Sequence, residues 1–319
     1  MEKQRNSQFQ KLIEKCNDLI CLFIKNIDNY NSKFTKLAGS SPYTRLIRLY
    51  QPIGMQLLMI PVFWTLVIAC SNIFQFLLFF FVFIIITVAM RGAASIINSI
   101  IDRNFDKEIE KTKDSPIASG ELSITQAINS LVLLLGTVLA LLLFLPAKAI
   151  CFGVLAMGLS VIYPFIRRYS HFSQIFLVFT FNLGIFIAWF AINEYFSFIP
   201  VLIYMASIFW TIGYDTIYAH QDGEDDIKIG IQPMTLIFGD KSKEAVKYLY
   251  RISIFLLGIT GLNANLNLIF FLFLGLGLWQ LNKQIENINL DSPESCQNKF
   301  KSNFDYGLLI LFAFIMGRF

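Results

Sequence analysis

The chain has 319 residues, of which 55% are hydrophobic and 15% are charged, and its net charge is +4. Soluble domains carry about 25% charged residues, so this composition excludes an ordinary soluble protein and indicates an integral membrane protein. The positive charge lies in the loops between apolar segments, where it fits an anionic membrane surface and gives no argument for a nucleic-acid partner.

The first 44 residues are mainly polar and precede the first long apolar segment. Between Phe9 and Ile24, apolar residues recur at three- and four-residue steps, which is typical of an amphipathic helix on a membrane surface. A leader with accidental periodicity is the alternative. We therefore divide the chain into a polar N-terminal segment, residues 1–44, and a single transmembrane domain, residues 45–319.

Nine apolar segments follow, and most approach the roughly 20 residues that a helix needs to cross a bilayer. They predict an all-α, polytopic membrane bundle of about nine helices. The segments lie near residues 53–70, 73–97, 124–145, 148–166, 174–192, 196–219, 248–262, 266–281 and 304–318.

The second apolar segment runs into a polar stretch that contains Asn98, Asp102 and Asp106. Residues four apart in a helix lie about 40° from each other around the axis, so these three form one polar stripe. Carboxylates at a hydrocarbon boundary are costly to desolvate, and they persist where they face a wet cavity, pair with cations or coordinate a metal ion. A metal site is predicted here, and a solvated helix end is the alternative.

The sixth apolar segment ends in a second acidic stretch with the same helical phase, formed by Asp215, Tyr218, Asp222 and Asp226. Hard oxygen ligands select Mg²⁺, which prefers to share its coordination with substrate phosphates. The two stretches therefore predict a shared Mg²⁺ site that a diphosphate substrate would complete.

Basic residues accompany both acidic stretches. Arg91 and Arg103 flank the first, Lys228 follows the second, and Arg167 and Arg168 lie between them. Because phosphate oxygens are natural partners of such groups, we assign these residues to substrate binding. For each one, a role in membrane orientation alone is the alternative.

The distribution of basic residues predicts which side of the membrane carries the site. If nine helices start from a cytoplasmic N-terminus, all of the 26 Lys and Arg residues except Lys148 and Arg318 fall on the cytoplasmic side. Such an excess is the asymmetry that sets orientation. Both acidic stretches then lie on the cytoplasmic face.

Five segments, in order, resemble motifs of the UbiA superfamily of intramembrane aromatic prenyltransferases. They are residues 45–54 (RLIRLYQPIG), 91–98 (RGAASIIN), 113–120 (KDSPIASG), 163–169 (YPFIRRY) and 214–230 (YDTIYAHQDGEDDIKIG). The resemblance runs from about residue 43 to 240. Five ordered motifs make it far more specific than either acidic stretch alone.

The resemblance implies a helical bundle around a central cavity with a lateral opening to lipid. The family often has Asp directly after the Asn of its first motif, where this chain has Ser99. Because that position lies about 100° from the polar stripe, we expect activity to survive the difference. The resemblance also assigns Mg²⁺ and polyprenyl diphosphate to five side chains, Asn98, Asp102, Asp106, Asp222 and Asp226.

The activity implied is transfer of a polyprenyl group to an aromatic ring, and the motifs look most like the branch that prenylates 4-hydroxybenzoate in ubiquinone synthesis. Asp102, Asp222 and Asp226 would assist the loss of diphosphate. Asp215 or a carboxylate of the second motif would remove the ring proton. The acceptor carboxylate would bind Arg48, Arg167 or Arg168, and the motif residues Tyr163 and Tyr218 would contact substrate.

Other acceptors and other classes remain open. Tyr50 and Gln51 replace a charged pair that is usual before Pro-Ile-Gly in many enzymes of the 4-hydroxybenzoate branch, so homogentisate, dihydroxynaphthoate or a tetrapyrrole is an alternative acceptor. An ion-coupled transporter would place its carboxylates near the middle of the bilayer, whereas here they sit at the ends of apolar segments. A phospholipid-type phosphotransferase would show one compact run of the form Asp-Gly…Ala-Arg…Gly…Asp…Asp, which this sequence does not contain. The expected location is a bacterial or mitochondrial inner membrane, with the site facing cytoplasm or matrix.

Overall fold

The structure is a computed structural model that describes residues 35–108, 112–169, 173–228 and 238–318, without the side chains of residues 164, 165, 167–169, 173, 222–228 and 240. The amphipathic helix predicted between Phe9 and Ile24 lies outside the described residues. The helices are α1 (Pro42–Leu46), α2 (Ile53–Ala69), α3 (Ile73–Ile101), α4 (Arg103–Asp106), α5 (Ile124–Leu143), α6 (Ala147–Tyr169), α7 (Ser173–Asn182), α8 (Gly184–Ile192), α9 (Phe198–Lys228), α10 (Ser242–Asn263), α11 (Leu268–Glu286) and α12 (Pro293–Arg318).

Eight of the nine predicted apolar segments each lie mainly on one of these helices and the fifth is divided between α7 and α8, which confirms the all-α membrane architecture. Within the described ranges, six helical spans are long and apolar enough to cross a membrane. Two further apolar helices, Ile53–Ala69 and Ala147–Tyr163, are shorter. The chain is thus an integral membrane protein, and the number of nine crossings stays a prediction.

Capping side chains begin two of the long helices. Asn72 accepts a hydrogen bond from the backbone N–H of Gln75 at 2.9 Å and begins α3. Ser123 and Gln126 form a reciprocal capping box at the start of α5. Such caps satisfy N–H groups that the first turn of a helix leaves unpaired.

The fifth apolar segment is interrupted at Leu183, which separates α7 from α8. Gly184 follows the interruption, and a Cβ atom built there would lie 2.9 Å from Cγ2 of Val62. The close approach lets the start of α8 pack against α2. This break was not predicted from the sequence.

A group of large aromatic side chains joins α2, α9 and α12 in the core. The rings of Trp64 and Trp210 stack with their centroids 5.3 Å apart, and Phe314 lies 6.2 Å from Trp64. Trp64 donates its indole N–H to the carbonyl of Gly307 at 3.0 Å. The indole groups are therefore both packed and hydrogen-bonded, as burial requires.

Asn303 is the centre of a buried polar network between α9, α10 and α12. Its Oδ1 accepts hydrogen bonds from Nε1 of Trp210 at 3.0 Å and from the hydroxyl of Tyr250 at 3.1 Å. Its amide nitrogen donates to the carbonyl of Lys299 at 3.0 Å. Every part of the carboxamide is used, so this network favours one arrangement of the three helices.

We expect Asn303→Leu to lower the free energy of unfolding by about 1–3 kcal/mol, because it leaves two buried donors without an acceptor. Denaturation in mixed micelles measures the loss. Asn263→Leu is the control, since the amide of exposed Asn263 bonds only to the carbonyl of Ile259 in its own helix. Equal unfolding midpoints for the two variants would show that the network does not stabilise the bundle.

Lys148 and Arg318 are the two basic residues that the sequence predicts on the non-cytoplasmic side. Both bind backbone carbonyls of neighbouring segments. Lys148 donates to the carbonyl of Glu194 and lies over the rings of Phe190 and Phe196, 5.7 and 5.0 Å from their centroids. Arg318 donates to the carbonyl of Val67 near the end of α2. These contacts tie α6 to the loop before α9 and α12 to α2.

Candidate active site

Arg91 of α3 is the centre of a group of side chains from several elements. The group lies at the end of the bundle where α2 and α12 begin and toward which α3 and α9 run. We call this the motif end of the bundle. Arg91 is half-buried on α3. Its charge interacts with four side chains from the segment after α1, from α6 and from α9, namely Arg48, Tyr163, Tyr214 and Tyr218.

Gly54 at the start of α2 forms part of the space that Arg91 occupies. A Cβ atom built at Gly54 would lie 2.8 Å from Nη2 of Arg91, so the guanidinium group packs against the backbone of α2. The glycine of the Pro-Ile-Gly motif thus stands where the guanidinium group of Arg91 approaches the backbone of α2 too closely for a side chain.

Arg48 follows α1 in an unusual backbone conformation, with φ of 53°. Its N–H donates to the carbonyl of Arg45 at 3.0 Å, and the N–H of Leu49 donates to the carbonyl of Thr44 at 3.0 Å. This pair of bonds is the Schellman motif, whose left-handed position normally holds glycine. An exposed arginine there carries backbone strain, which is a feature of functional positions.

Tyr214 and Tyr218 lie four residues apart on one face of α9, and both interact with Arg91. Tyr214 is buried and Tyr218 is partly exposed, and both rings also pack against Phe300 of α12, with centroids 5.7 and 4.9 Å away. Tyr218 was predicted as a site residue, whereas Tyr214 was missed. Its position four residues before Tyr218, on the same helical face, is the signal that could have identified it.

The first acidic motif was predicted as one polar stripe along a helix end, and the helix is interrupted within this motif. Helix α3 ends at Ile101, Asp102 has φ of −89° and ψ of 2°, and Asp106 belongs to the short helix α4. The four-residue hydrogen bonds nevertheless continue, from Asp102 N–H to the Asn98 carbonyl at 2.8 Å and from Asp106 N–H to the Asp102 carbonyl at 2.9 Å. The stripe is therefore bent at Asp102.

Asn98 has a side-chain oxygen that is buried and has no hydrogen-bond partner in the described protein. It lies seven residues after Arg91, on the same face of α3. A buried acceptor without a donor is costly unless a ligand satisfies it, and a carboxamide oxygen beside carboxylates is a suitable ligand for Mg²⁺. The first motif therefore fits the predicted metal.

The second acidic motif is described only in part. Asp215 is half-buried on α9, and beyond it His220 Nε2 and Gln221 Oε1 are buried polar atoms that lack a partner among the described groups. The backbone of Asp222, Asp226 and Lys228 continues α9, but their side chains lie outside the described set. Convergence of the two motifs on one metal site thus stays a prediction. Among the side chains that are described, no group of three or more His, Cys, Asp or Glu residues could hold a metal ion.

The remaining predicted basic residues are spread over several environments. Arg103 is exposed on α4 and does not belong to the group around Arg91. Arg167 and Arg168 lie on the last turn of α6, and their side chains are outside the described set. Their assignment to substrate binding stays a prediction.

An apolar cavity of about 80 Å³ extends from Arg91 into the membrane-spanning part of the bundle. Along α3 it runs from Arg91 to Phe83, about 12 Å at the rise of an α-helix. The interrupted fifth segment forms its other side, through Thr180, Phe181 and Gly184. The arrangement joins a polar, basic group at the motif end to an apolar space that can take a hydrocarbon chain.

Residues 58–312 match the model of the UbiA prenyltransferase family. The chain is 34% identical over 284 residues to "4-hydroxybenzoate polyprenyltransferase, mitochondrial" of Homo sapiens, a match that covers 87% of this chain and 75% of the human protein. It is 32% identical over 275 residues to "4-hydroxybenzoate octaprenyltransferase" of Actinobacillus pleuropneumoniae, covering 86% and 94% of the two chains.

Solved structures share the fold. A UbiA homolog from Archaeoglobus fulgidus bound to GPP and Mg²⁺ superposes with a TM-score of 0.63 at 18% identity, and the match covers 85% of this chain and 99% of that one. At this identity the likeness concerns the fold alone. With a family model matching most of its length and relatives above 30% identity, the chain belongs to the UbiA prenyltransferase family.

Proposed function

We propose that the protein transfers a polyprenyl group from a polyprenyl diphosphate to the ring of 4-hydroxybenzoate, a step of ubiquinone synthesis. The observation that carries this proposal is the group of two arginines and three tyrosines around Arg91, because Arg91 itself also lines the apolar cavity. The relatives named for 4-hydroxybenzoate support the choice of acceptor.

The Arg48 and Arg91 side chains bind the carboxylate of the acceptor. Two positive charges held near each other in a partly buried site repel, so an anion between them lowers the electrostatic free energy. Arg91 lies about 10 Å along α3 from Asn98, at seven residues of helical rise. The acceptor ring spans this interval, with its carboxylate at the arginines and its reactive edge toward the acidic motifs.

The acidic motifs hold the diphosphate end of the donor. Mg²⁺, when bound, supplies positive charge that stabilises the departing diphosphate oxygens. Arg167 or Arg168 supplies a further positive charge to the same group. The side chains that would hold the metal are Asn98, Asp102, Asp106, Asp222 and Asp226.

The reaction breaks the allylic C–O bond of the donor, and diphosphate leaves with the electron pair. The ring carbon ortho to the phenol attacks the allylic cation, and a carboxylate then accepts the ring proton. Asp215 is the half-buried candidate for that base on α9, and a carboxylate of the second motif is the alternative. The faces of Tyr163, Tyr214 and Tyr218 stabilise the cation and keep water away from it.

The cavity between Arg91 and Phe83 receives the apolar chain of the donor next to its reacting end. Its lining is mostly apolar, and two of its three hydroxyl groups, those of Ser160 and Thr180, are already bonded to carbonyls of their own helices, the third belonging to Thr87. A hydrocarbon chain therefore meets no unsatisfied hydroxyl at these two positions.

We place the protein in a bacterial or mitochondrial inner membrane, with the motif end facing cytoplasm or matrix.

An assay with membranes that carry the protein tests the proposal. We expect labelled 4-hydroxybenzoate and a polyprenyl diphosphate to give a prenylated product in the presence of Mg²⁺ and none after chelation. Membranes without the protein are the control. Homogentisate and dihydroxynaphthoate are run in parallel, because Tyr50 and Gln51 differ from the pair usual in the 4-hydroxybenzoate branch. Product from one of these acceptors but not from 4-hydroxybenzoate would overturn the acceptor assignment.

A further inference from the structure

We propose that Ser95 of α3 is a positioning residue for Arg48, which it holds opposite Arg91. The inference deepens the proposed function and rests on it, because it takes Arg48 as a ligand of the acceptor. Ser95 itself is buried and contacts the backbone before Arg48 rather than the substrate site.

The contact between Ser95 and the chain before Arg48 is a hydrogen bond. The hydroxyl of Ser95 donates to the carbonyl of Leu46 at 2.9 Å, across 49 positions of sequence. Leu46 ends α1, where the last carbonyl groups of a helix need partners from outside the helix. The Schellman bonds use the carbonyls of Thr44 and Arg45, and Ser95 supplies a donor for the next one.

Packing fixes the same turn from two further sides. Leu46 is 1% exposed and belongs to a small cluster with Ile96, Ile117, Leu122 and Ala127. A Cβ atom built at Gly92 would lie 3.1 Å from Cβ of Ile47, so α3 touches the residue directly before Arg48. The absence of a side chain at Gly92 is what permits this approach.

A short stretch of α3, less than two turns long, therefore carries one arginine and the contacts that hold the other. Arg91, Gly92 and Ser95 lie within five consecutive positions, and a turn of α-helix contains 3.6 residues. A shift of the Leu46–Ile47 backbone would rotate Arg48 about a backbone that is already strained. The spacing between the two guanidinium groups, and with it the fit to one carboxylate, depends on the bond from Ser95.

The alternative is that Ser95 only stabilises the bundle, and a double-mutant cycle separates the two roles. Two residues that act through one another show non-additive effects, whereas independent residues show additive ones. We expect Ser95→Ala to raise KM for 4-hydroxybenzoate roughly two- to tenfold with little change in kcat, the size of one lost neutral hydrogen bond. In an Arg48→Gly background, the same change should raise KM no further.

The matched control is Thr65→Val. The hydroxyl of Thr65 is also buried, but it donates to the carbonyl of Pro61 in its own helix at 2.9 Å. Loss of this hydroxyl should leave KM unchanged. Ser95→Thr retains a donor and should restore a KM close to that of the unmodified protein. An equal rise of KM on Ser95→Ala in both backgrounds, or no rise in either, overturns the proposal.

A second pair of variants serves if Ser95→Ala does not fold. A Cβ atom at Gly92 would lie 3.1 Å from both Ile47 and a methyl group of Leu134, so Gly92→Ala presses on Ile47, whereas a Cβ atom at Gly136 of α5 meets nothing within 4 Å. We expect Gly92→Ala to raise KM for the acceptor and Gly136→Ala to leave it unchanged. Equal KM values for the two variants contradict the positioning role.

Hydrogen exchange of the peptide covering residues 42–51 distinguishes failure of this inference from failure of the proposed function. Faster exchange in Ser95→Ala, but not in Thr65→Val, is expected if Ser95 orders the turn. Unchanged exchange overturns the positioning role whatever the substrate is. Faster exchange with an unchanged KM for 4-hydroxybenzoate shows instead that Ser95 holds the turn but that Arg48 does not bind this acceptor. That result overturns both the positioning role and the acceptor site of the proposed function.

Discussion

Replacement of Arg48 by glycine is expected to lower kcat/KM for 4-hydroxybenzoate while leaving the fold as stable as before or slightly more stable. Loss of a charge-assisted bond to the acceptor costs about 1.5–3 kcal/mol, or roughly a ten- to hundredfold effect. The left-handed backbone at Arg48 costs about 1 kcal/mol for a residue with a side chain and nothing for glycine. The greater freedom of glycine in the unfolded chain offsets part of that gain.

Steady-state kinetics and thermal unfolding in detergent measure the two effects of Arg48→Gly. Asn265→Gly is a matched control, because Asn265 has φ of 52° between α10 and α11, away from the motif end. It should show the same small effect on stability with unchanged kinetics. An Arg48→Gly variant that keeps its kcat/KM for the aromatic acid would refute the acceptor site, and one that unfolds readily would refute the strain argument.

Asp102→Ala and Asp222→Ala are each expected to abolish turnover without preventing membrane insertion. Removal of a ligand oxygen weakens binding of metal and diphosphate together, with a loss of at least about a hundred- to thousandfold, as for other groups that stabilise developing charge. Insertion should be unaffected, because removing a charge from the end of a spanning helix lowers the cost of burying that helix in lipid.

The metal part of this prediction has a readout besides turnover. Bound Mg²⁺ and diphosphate should raise the melting temperature of the unmodified protein, since ligands that bind only the folded state stabilise it. Neither aspartate variant should show that rise. Glu286→Ala removes an exposed carboxylate from the end of α11 and should retain both turnover and the thermal shift. Mg²⁺-dependent prenylation at a normal rate by either aspartate variant contradicts the assignment.

The properties that could be predicted from the sequence are those set by local chemistry. Transfer of about 20 apolar residues into hydrocarbon is favourable wherever they stand in the chain, so the positions of the helices were predictable. The boundary position of Asn98 and Asp102 followed in the same way, because the cost of burying a carboxylate in lipid depends on its depth. Five ordered motifs then identified the family.

Tertiary structure decided how these pieces meet. The approach of Arg48, Tyr163 and Tyr214 to Arg91 depends on how three separate helices and the segment after α1 pack, and helical periodicity carries no information about that packing. The break at Leu183 and the bend at Asp102 have no proline to signal them. Arg48 occupies a conformation that glycine would favour, because bonds and packing from distant α3 compensate for the local strain. Local propensity predicts elements, whereas the active-site geometry arises from contacts between residues that are far apart in the chain.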